Sequence, residues 1–242
     1  MTAFDKDYQH LVGEIAQQPS FPNERTKINT RLIWGPQVTC HPEDGLPLLT
    51  LRRIPLRLAL TEQIWFMSGE RRIPDESSEI KQAWGDFARI DNVVPSAYGY
   101  RMRHKLGRDQ LTGLLTKLEE DPSTRQAYVS FWDPQYDGLD GPRQPNVPCI
   151  TSFQVSLARG KVDLQTNWRS NDVGLGLPND VYGNYFFMST ISQRFQLPLG
   201  TYVHSIANAH IYDPHLYQLT ELLEIQSDHP PIKLDLPTRS LE

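Results

Sequence analysis

Apolar residues recur at every third or fourth position in five stretches of the chain, a spacing typical of amphipathic helices. The first predicted helix ends near Gln18-Pro19, and the second spans 55–67, with Gly69 after its end. The third closes at Asp121-Pro122, and the fifth opens at Asp213-Pro214. The periodic positions are Phe4, Tyr8, Leu11 and Ile15 in the first helix; Leu111, Leu114, Leu115 and Leu118 in the third; Val181, Tyr185, Met188 and Phe195 in the fourth; and Leu216, Leu219, Leu222 and Leu223 in the fifth.

Strand-like patterns fill much of the space between these helices. Strands are predicted over 30–38, 126–132, 150–157, 161–168 and 202–212, and the third and fourth form a hairpin joined through Arg159-Gly160. The chain has no internal repeat and no Pro/Gly/Ser-rich linker between two halves. These patterns predict a single α+β domain over residues 1–242.

Composition narrows the class of protein further. Hydrophobic residues make up 38% and charged residues 22%, which is ordinary for a soluble globular protein. The net charge is −5 and no Lys/Arg run dominates, so no stable nucleic-acid complex is expected. No apolar run approaches the ~20 residues of a membrane span, and the two cysteines lack metal-ligand spacing. We expect a cytoplasmic protein without membrane or metal.

Cys149 is a candidate nucleophile. It follows Pro148 at the end of a Pro/Gly/Asp-rich loop and directly precedes a predicted strand. A thiol in this place becomes reactive if neighbouring positive charge lowers its pKa. The alternative is a small core residue, which is what most free cysteines are.

Glu62 is a candidate proton-transfer group. In a helix it shares a face with Leu58, Trp65 and Phe66, so its carboxylate points toward the interior. Burial raises the pKa of a carboxylate and suits it to proton transfer near neutral pH. The alternative is a surface glutamate on a slightly rotated helix.

Three further groups of polar residues stand at the ends of predicted elements. Arg169 and Ser170 at a strand end could clamp a phosphate. Asp180 opens the next helix, where the local sequence favours a capping or first-turn role. His210 and Tyr212 point to one face of a strand, where they could bond a sugar or sit as satisfied polar residues.

The order of several short motifs resembles the thymidylate synthase family from about residue 23 to residue 223. The motifs are NERT at 23–26, DGLPLLT at 44–50, EQIWFMSG at 62–69, YGYR at 98–101, DPSTR at 121–125, PC at 148–149, RSNDVGLGLP at 169–178 and AHIY at 209–212. The resemblance implies a thymidylate-synthase-like fold, in which a mixed β-sheet packs with helices and one sheet face forms a homodimer interface.

The resemblance also assigns roles at the matching positions. Cys149 would add to C6 of a pyrimidine nucleotide monophosphate, and C5 would then take a one-carbon unit from 5,10-methylenetetrahydrofolate. The phosphate would be held by Arg25, Arg169 and Ser170, together with Arg125 of the other subunit. The remaining assignments are His210 and Tyr212 to the sugar, Glu62 and Tyr98 to proton transfer and ordered water, and Trp84 and Asp172, with Glu62, to the folate pocket.

Departures from the family pattern predict the particular substrate. Thymidylate synthases have Asn where this chain has Asp180, and a carboxyl group can complement the N3 and 4-amino edge of cytosine. Ile150 stands where the family has His, and Gln126 where it has a second arginine. The segment from Arg169 to Asp180 is more similar to the dCMP hydroxymethylases of T-even phages than to thymidylate synthases. If the protein is phage-encoded, we expect it in the cytoplasm of the host.

Two other departures concern the product. Lys81 stands where the family usually has a tryptophan near the folate, and residues 236–242 do not resemble the family's closing C-terminal segment. A wetter pocket would let water add to the methylene intermediate, which predicts C5-hydroxymethylation of dCMP. The alternatives are a dCMP C5-methyltransferase with hydride transfer, a dUMP hydroxymethylase or thymidylate synthase, and a catalytically silent homologue that binds nucleotide or RNA.

Overall fold

The computed structural model describes residues 1–138 and 147–233, which form an α+β structure with a mixed sheet. The helices are α1 (Ala3–Ala16), α2 (Leu56–Ser68), α3 (Ser78–Trp84), α4 (Tyr98–Tyr100), α5 (Gln110–Glu120), α6 (Leu177–Phe195) and α7 (Asp213–Glu221). The strands are β1 (Thr30–Trp34), β2 (Gln37–Cys40), β3 (Tyr128–Ser130), β4 (Ile150–Ser156), β5 (Val162–Asp172) and β6 (Leu199–Tyr212). The predicted fold class is confirmed.

The ends of the helices follow from local chemistry. Thr2 caps α1 and exchanges hydrogen bonds with Asp5, so two backbone N–H groups that the helix leaves free are satisfied. Gly69 ends α2 with φ +79°, a left-handed conformation that glycine adopts without a Cβ clash. Asp109 caps α5 by accepting from the N–H of Thr112.

The described residues form one six-stranded sheet in the order β1-β6-β5-β4-β3, and β2 also pairs with β6. All neighbours are antiparallel except β5 and β6, which are parallel and are connected through α6. Because β5 and β6 are parallel, their carboxyl ends lie side by side, with Asp172 opposite His210. The antiparallel β4 begins at this same end, since Ile150 pairs with Trp168.

This arrangement concentrates the candidate site residues at one end of the sheet. Cys149 precedes β4, while Arg169 and Ser170 end β5 and His210 ends β6. Helix α6 begins directly after β5 and packs against α2, which brings Asp180 and Glu62 to the same place. Residues that are distant in the sequence therefore converge without any unusual backbone.

The structure differs from the sequence predictions in one strand and in two helices. The predicted strand over 30–38 is two strands, β1 and β2, because Gly35 has φ +79° and Pro36 has no N–H for the ladder. Helices α3 and α4 lack a long apolar period and were not predicted; α4 continues as a π-helical turn over Arg101–Lys105. None of the helices within 1–138 and 147–233 is both long and apolar enough to cross a bilayer.

Candidate active site

Cys149 lies where the loop enters the sheet, with its thiol held beside a guanidinium group. The backbone carbonyl of Cys149 accepts from the N–H of Arg169 at 2.9 Å, and Arg169 Nη2 is 4.0 Å from Sγ. Tyr98 lies on another side, where its hydroxyl accepts from the Cys149 N–H at 3.3 Å. The thiol is partly exposed and therefore open to a ligand.

The electrostatic balance at the thiol has two opposing parts. Burial raises the pKa of Cys149, and the nearby Asp180 carboxyl adds to that rise. The positive charges of Arg169 and Arg25 act in the opposite direction. The arginines lower the pKa of the thiol as expected, but burial raises it by more. The thiol form is therefore favoured at neutral pH when no ligand is bound.

Arg169 is fixed by the same loop that carries the cysteine. Its Nε donates to the carbonyl of Pro148 at 2.8 Å, and Nη2 donates to that of Val147 at 3.0 Å. Arg25 is exposed on the loop before β1. Burial raises the pKa of Tyr212, and the positive charge of Arg25 partly lowers it again. Two predicted phosphate ligands thus lie on one side of the cysteine.

Ser170, His210 and Tyr212 form the part of the site beyond the arginines. Ser170 Oγ is 3.5 Å from His210 Nδ1, and the His210 and Tyr212 rings pack edge to face with centroids 5.2 Å apart. Burial lowers the pKa of His210, although the Asp172 carboxylate works against that shift. A neutral imidazole and a phenol offer hydrogen bonds to a sugar hydroxyl.

Asp180 lies in the first turn of α6 but does not cap it, so the first-turn interpretation is confirmed and the capping interpretation is wrong. Gly176 occupies the N-cap position, and no side chain caps this helix end. Instead, Asp180 Oδ2 accepts from Asn171 Nδ2 at 3.0 Å, which turns the carboxyl group toward β5. No described residue hydrogen-bonds its Oδ1, which is therefore free to bond a ligand.

The environment of Asp180 favours a protonated carboxyl group. Burial raises its pKa well above the usual range, and the nearby Glu62 carboxylate adds to this rise, while the Asn171 hydrogen bond opposes it. Glu62 itself has a pKa raised to about 7, mainly by burial, despite accepting from Trp84 Nε1. The interior orientation predicted for Glu62 is what the structure has.

Replacing Glu62 with Gln tests this picture through stability. The replacement keeps an oxygen for Trp84 Nε1 but removes the charge. Because the pKa of Glu62 is about 7 when folded and near 4.5 when unfolded, protonation stabilises wild type fully below pH 4.5, and this contribution is lost as pH rises through 7. We expect the free energy of unfolding of Glu62→Gln to increase relative to wild type from pH 4.5 to 7 and then to stay level, as measured by urea denaturation. A difference that does not change with pH would contradict the raised pKa.

Aromatic rings form the wall above Glu62. Trp84 packs edge to face against Trp65, Phe66 and Tyr98, with ring centroids 5.2–5.7 Å apart. Asp172 is the last residue of β5, and its Oδ1 accepts from the N–H groups of Gly174 and Leu175 in the 173–176 turn. No described residue hydrogen-bonds its Oδ2, so that oxygen can accept from a ligand N–H.

A cavity of about 40 Å³ lies behind Asp180, large enough to hold water. Ile150 forms part of its wall, so the position where the resemblance expects a histidine is apolar here. The polar lining residues are Gln63, Asp180 and Asn184, and most of the remainder are aromatic or aliphatic.

Arg125 is far from the other predicted phosphate ligands. It is exposed before β3, and its carbonyl oxygen accepts from Gln154 Nε2 at 2.9 Å. Gln154 lies five residues along β4 from Cys149, a separation of about 16 Å in a strand. Arg125 therefore cannot meet Cys149 in one chain, and the neighbouring Gln126 is also exposed.

The other departures lie outside this pocket or outside the described residues. Lys81 Nζ donates to the carbonyl of Asp75 at 2.7 Å on the exposed side of α3. The 236–242 segment is not among the described residues. In the described ranges, no group of three His, Cys, Asp or Glu side chains is arranged to hold a metal ion.

Comparison with known proteins agrees with this geometry. The family profile described as thymidylate synthase matches residues 6–242. Among solved structures, the thermostable thymidylate synthase A from Bacillus subtilis superimposes with a TM-score of 0.79 and 25% sequence identity. The superposition covers 94% of this chain and 86% of that one.

Proposed function

The chain belongs to the thymidylate synthase family, and from the carboxyl group in its base pocket we propose that it hydroxymethylates C5 of a cytosine nucleotide. The substrate that fits best is dCMP, with 5,10-methylenetetrahydrofolate as the one-carbon donor and water as the source of the hydroxyl group. Family membership supports folate-dependent one-carbon transfer to a nucleotide, and the choice of cytosine and the hydroxymethyl product are our inference.

Asp180 is the observation that carries this proposal. Cytosine presents an acceptor at N3 and a donor at its 4-amino group, whereas uracil presents a donor at N3–H and an acceptor at O4. A protonated carboxyl group can donate to N3 with one oxygen and accept from the amine with the other. The raised pKa of Asp180, caused first by burial, supports this protonated form. When the proton is on the oxygen that faces N3, the other carboxyl oxygen would face uracil O4 with lone pairs on both sides.

The residues around Cys149 can perform the addition step. Arg169 stabilises the thiolate and lies where a phosphate would approach, so binding of the nucleotide orients C6 toward the sulfur. Addition of sulfur to C6 makes C5 nucleophilic. Methylenetetrahydrofolate supplies a one-carbon unit at the oxidation level of formaldehyde. Glu62, with a pKa of about 7, can exchange a proton near neutral pH.

The residues present fit a folate. A pterin is flat, aromatic and rich in N–H donors, and Trp84 offers an aromatic wall while Asp172 offers an oxygen without a described partner. Trp84 Nε1 donates to Glu62, and Asp172 lies close enough to Asp180 for its charge to raise the pKa of that carboxyl group. We assign Trp84 and Asp172 to holding the folate, and Glu62 to both the folate pocket and proton transfer.

A hydroxymethyl product requires water where a methyl product requires hydride. In the overall reaction dCMP, methylenetetrahydrofolate and water give 5-hydroxymethyl-dCMP and tetrahydrofolate, so nothing is oxidised or reduced. Lys81 supports the addition of water because it lies on an exposed helix surface and adds no aromatic ring to the pocket.

The test is to incubate dCMP or dUMP with enzyme and methylenetetrahydrofolate, then determine product mass while following dihydrofolate absorbance. We expect dCMP to gain a hydroxymethyl group with no dihydrofolate formed. A methyl gain on dCMP with equal dihydrofolate would make the protein a dCMP methyltransferase. Turnover of dUMP alone would make it a uracil enzyme, the activity named for the Bacillus subtilis relative.

We further propose that the active protein is a homodimer formed by one face of the sheet. This face carries amide and hydroxyl side chains that hydrogen-bond one another, as Gln37 and Gln165 do with Ser205, and Asn167 with Ser152. Arg125 lies at the far end of β4 from Cys149, which supports its action on the nucleotide phosphate of the partner subunit.

Mixing two inactive variants tests this arrangement. Arg125→Ala should weaken nucleotide binding, and Cys149→Ser should remove the nucleophile. A dimer that contains one subunit of each kind has one intact site, so random exchange of equal amounts should restore about a quarter of wild-type activity. The mixture is refolded together and assayed at low nucleotide concentration, with each variant alone as the control. No recovery would mean that Arg125 serves its own subunit or none.

A further inference from the structure

Asn171 stands directly behind the base-selecting carboxyl group. It is 3% exposed near the end of β5, and its side-chain nitrogen has two neighbours. Asn171 Nδ2 donates to Asp180 Oδ2 at 3.0 Å and lies 3.4 Å from His204 Nε2. An amide nitrogen carries two hydrogens, so both contacts can be hydrogen bonds at the same time.

The second contact continues into a buried chain of polar groups. His204 is 0% exposed, and its Nδ1 lies 2.7 Å from the Tyr202 hydroxyl. That hydroxyl lies 3.0 Å from Thr166 Oγ1, which also accepts from Trp168 Nε1 at 3.1 Å. The Trp168 ring stacks on His204 with centroids 5.0 Å apart, so the imidazole is held on both its edge and its face.

The direction of each hydrogen bond follows from the Asn171 nitrogen, which can only donate, beside a neutral imidazole. Burial lowers the pKa of His204 to about 3, so it carries one ring proton at neutral pH. If Nε2 accepts from Asn171, that proton is on Nδ1 and points to Tyr202, which donates onward to Thr166. Asn171 then presents its nitrogen, and not its oxygen, to Asp180.

This orientation decides which oxygen of Asp180 carries the proton. An oxygen that accepts from Asn171 acts as the carbonyl oxygen of a neutral carboxyl group, so the proton is left on Oδ1. In the reversed orientation the Asn171 oxygen would accept from a protonated Oδ2, and Oδ1 would have no proton to donate. Only the first arrangement gives the base one donor and one acceptor.

Resting on the proposed function, we propose that Asn171, held by His204, is the positioning residue that sets cytosine selection by keeping the Asp180 proton on Oδ1. Asn171 acts through Asp180 and His204 acts through Asn171. Truncating either residue should therefore change the choice between bases more than the rate with any one base.

Nitrogen NMR of the His204 ring tests the hydrogen-bond direction without any substrate. We expect a proton on Nδ1 and none on Nε2, with the signal assigned by its loss in His204→Phe. A proton on Nε2 would reverse the chain of bonds and overturn the proposal. Because no nucleotide is needed, this result stands apart from whether the protein turns over dCMP.

Kinetics with both bases test the consequence. We expect Asn171→Ala to lower the ratio of kcat/KM for dCMP to that for dUMP by about tenfold, and to leave the ratio unchanged when Asp180 is already Ala. An equal loss for both bases, or the same effect in the Asp180→Ala background, would overturn the proposal.

A second pair of variants covers the case in which Asn171→Ala does not fold. His204→Gln can still accept from Asn171 through its amide oxygen, whereas His204→Phe keeps the stacking on Trp168 but removes the acceptor. We expect the Gln variant to keep the wild-type base ratio and the Phe variant to lower it. Equal ratios in the two variants would refute the role of His204.

Discussion

We expect Cys149→Ser to lower turnover by at least about a thousandfold while changing nucleotide affinity by no more than a few-fold. A hydroxyl is a far weaker nucleophile than a thiolate, and the Arg169 guanidinium, 4.0 Å from Sγ, cannot accept the proton of a serine at this position. The contacts proposed for the phosphate and sugar do not involve sulfur. Steady-state turnover and calorimetric binding of dCMP separate the two effects.

Cys40 supplies a matched control because it allows the same replacement at the other cysteine. It is 6% exposed in β2, and burial raises its pKa, so it has neither access nor a tendency to ionise. We expect Cys40→Ser to keep turnover per folded molecule, with some loss of stability from burying a hydroxyl. Activity that survives in Cys149→Ser and disappears in Cys40→Ser would refute the assignment of the nucleophile.

Sequence patterns predicted the parts of this fold that depend on local chemistry. Helix α2 ends at Gly69, and β4 and β5 form the expected hairpin, because a left-handed glycine and an alternating pattern act over a few residues. The order of motifs also led to Cys149 and Arg169, which the sheet does place together. Their roles in catalysis remain predictions.

The failures concern contacts between distant parts of the chain. Asp180 looked like a helix cap because its sequence neighbours resemble a helix start, yet its partner is Asn171, nine residues earlier on a strand. His204 gave no signal at all, since a histidine within a strand is usually an ordinary buried or surface residue. The inside–outside alternation of β5 changes phase between Trp168 and Asn171, and that of β6 between Ile206 and Ala209. Period-two reasoning therefore could not have placed Asn171 beside His204.

Helix α4 illustrates the same limit. It has three residues before the π-helical turn, and its position depends on Arg101, whose guanidinium is 3% exposed and pairs with Asp137 at 2.5 Å. Gly99 fits there because a Cβ would lie 2.2 Å from the Phe66 carbonyl oxygen. This close packing places Tyr98 against Cys149, but the motif YGYR gives no local reason for it.

Asp180→Asn should weaken the selection of cytosine and is the strongest test of the proposed substrate. An amide can match either base: with its nitrogen toward N3 it complements cytosine, and turned over it accepts from uracil N3–H and donates to O4. Asn171 favours the first orientation, because its N–H needs an acceptor oxygen at Oδ2, so uracil binds the variant only after the amide turns. We expect the ratio of kcat/KM for dCMP to that for dUMP to fall by about 10- to 10²-fold.

Asp172→Asn is the matched control for this prediction, because it makes the same chemical change in a neighbouring carboxylate that faces the 173–176 turn and not the Asp180 pocket. It should weaken the folate side of the reaction equally for both nucleotides and leave the base ratio within about twofold of wild type. If Asp180→Asn also left the ratio unchanged, base choice would lie in another part of the site, and the case for a cytosine substrate would fail. If only Asp180→Asn changed the ratio, base selection would depend on the carboxyl group at this position and not on the neighbouring carboxylate.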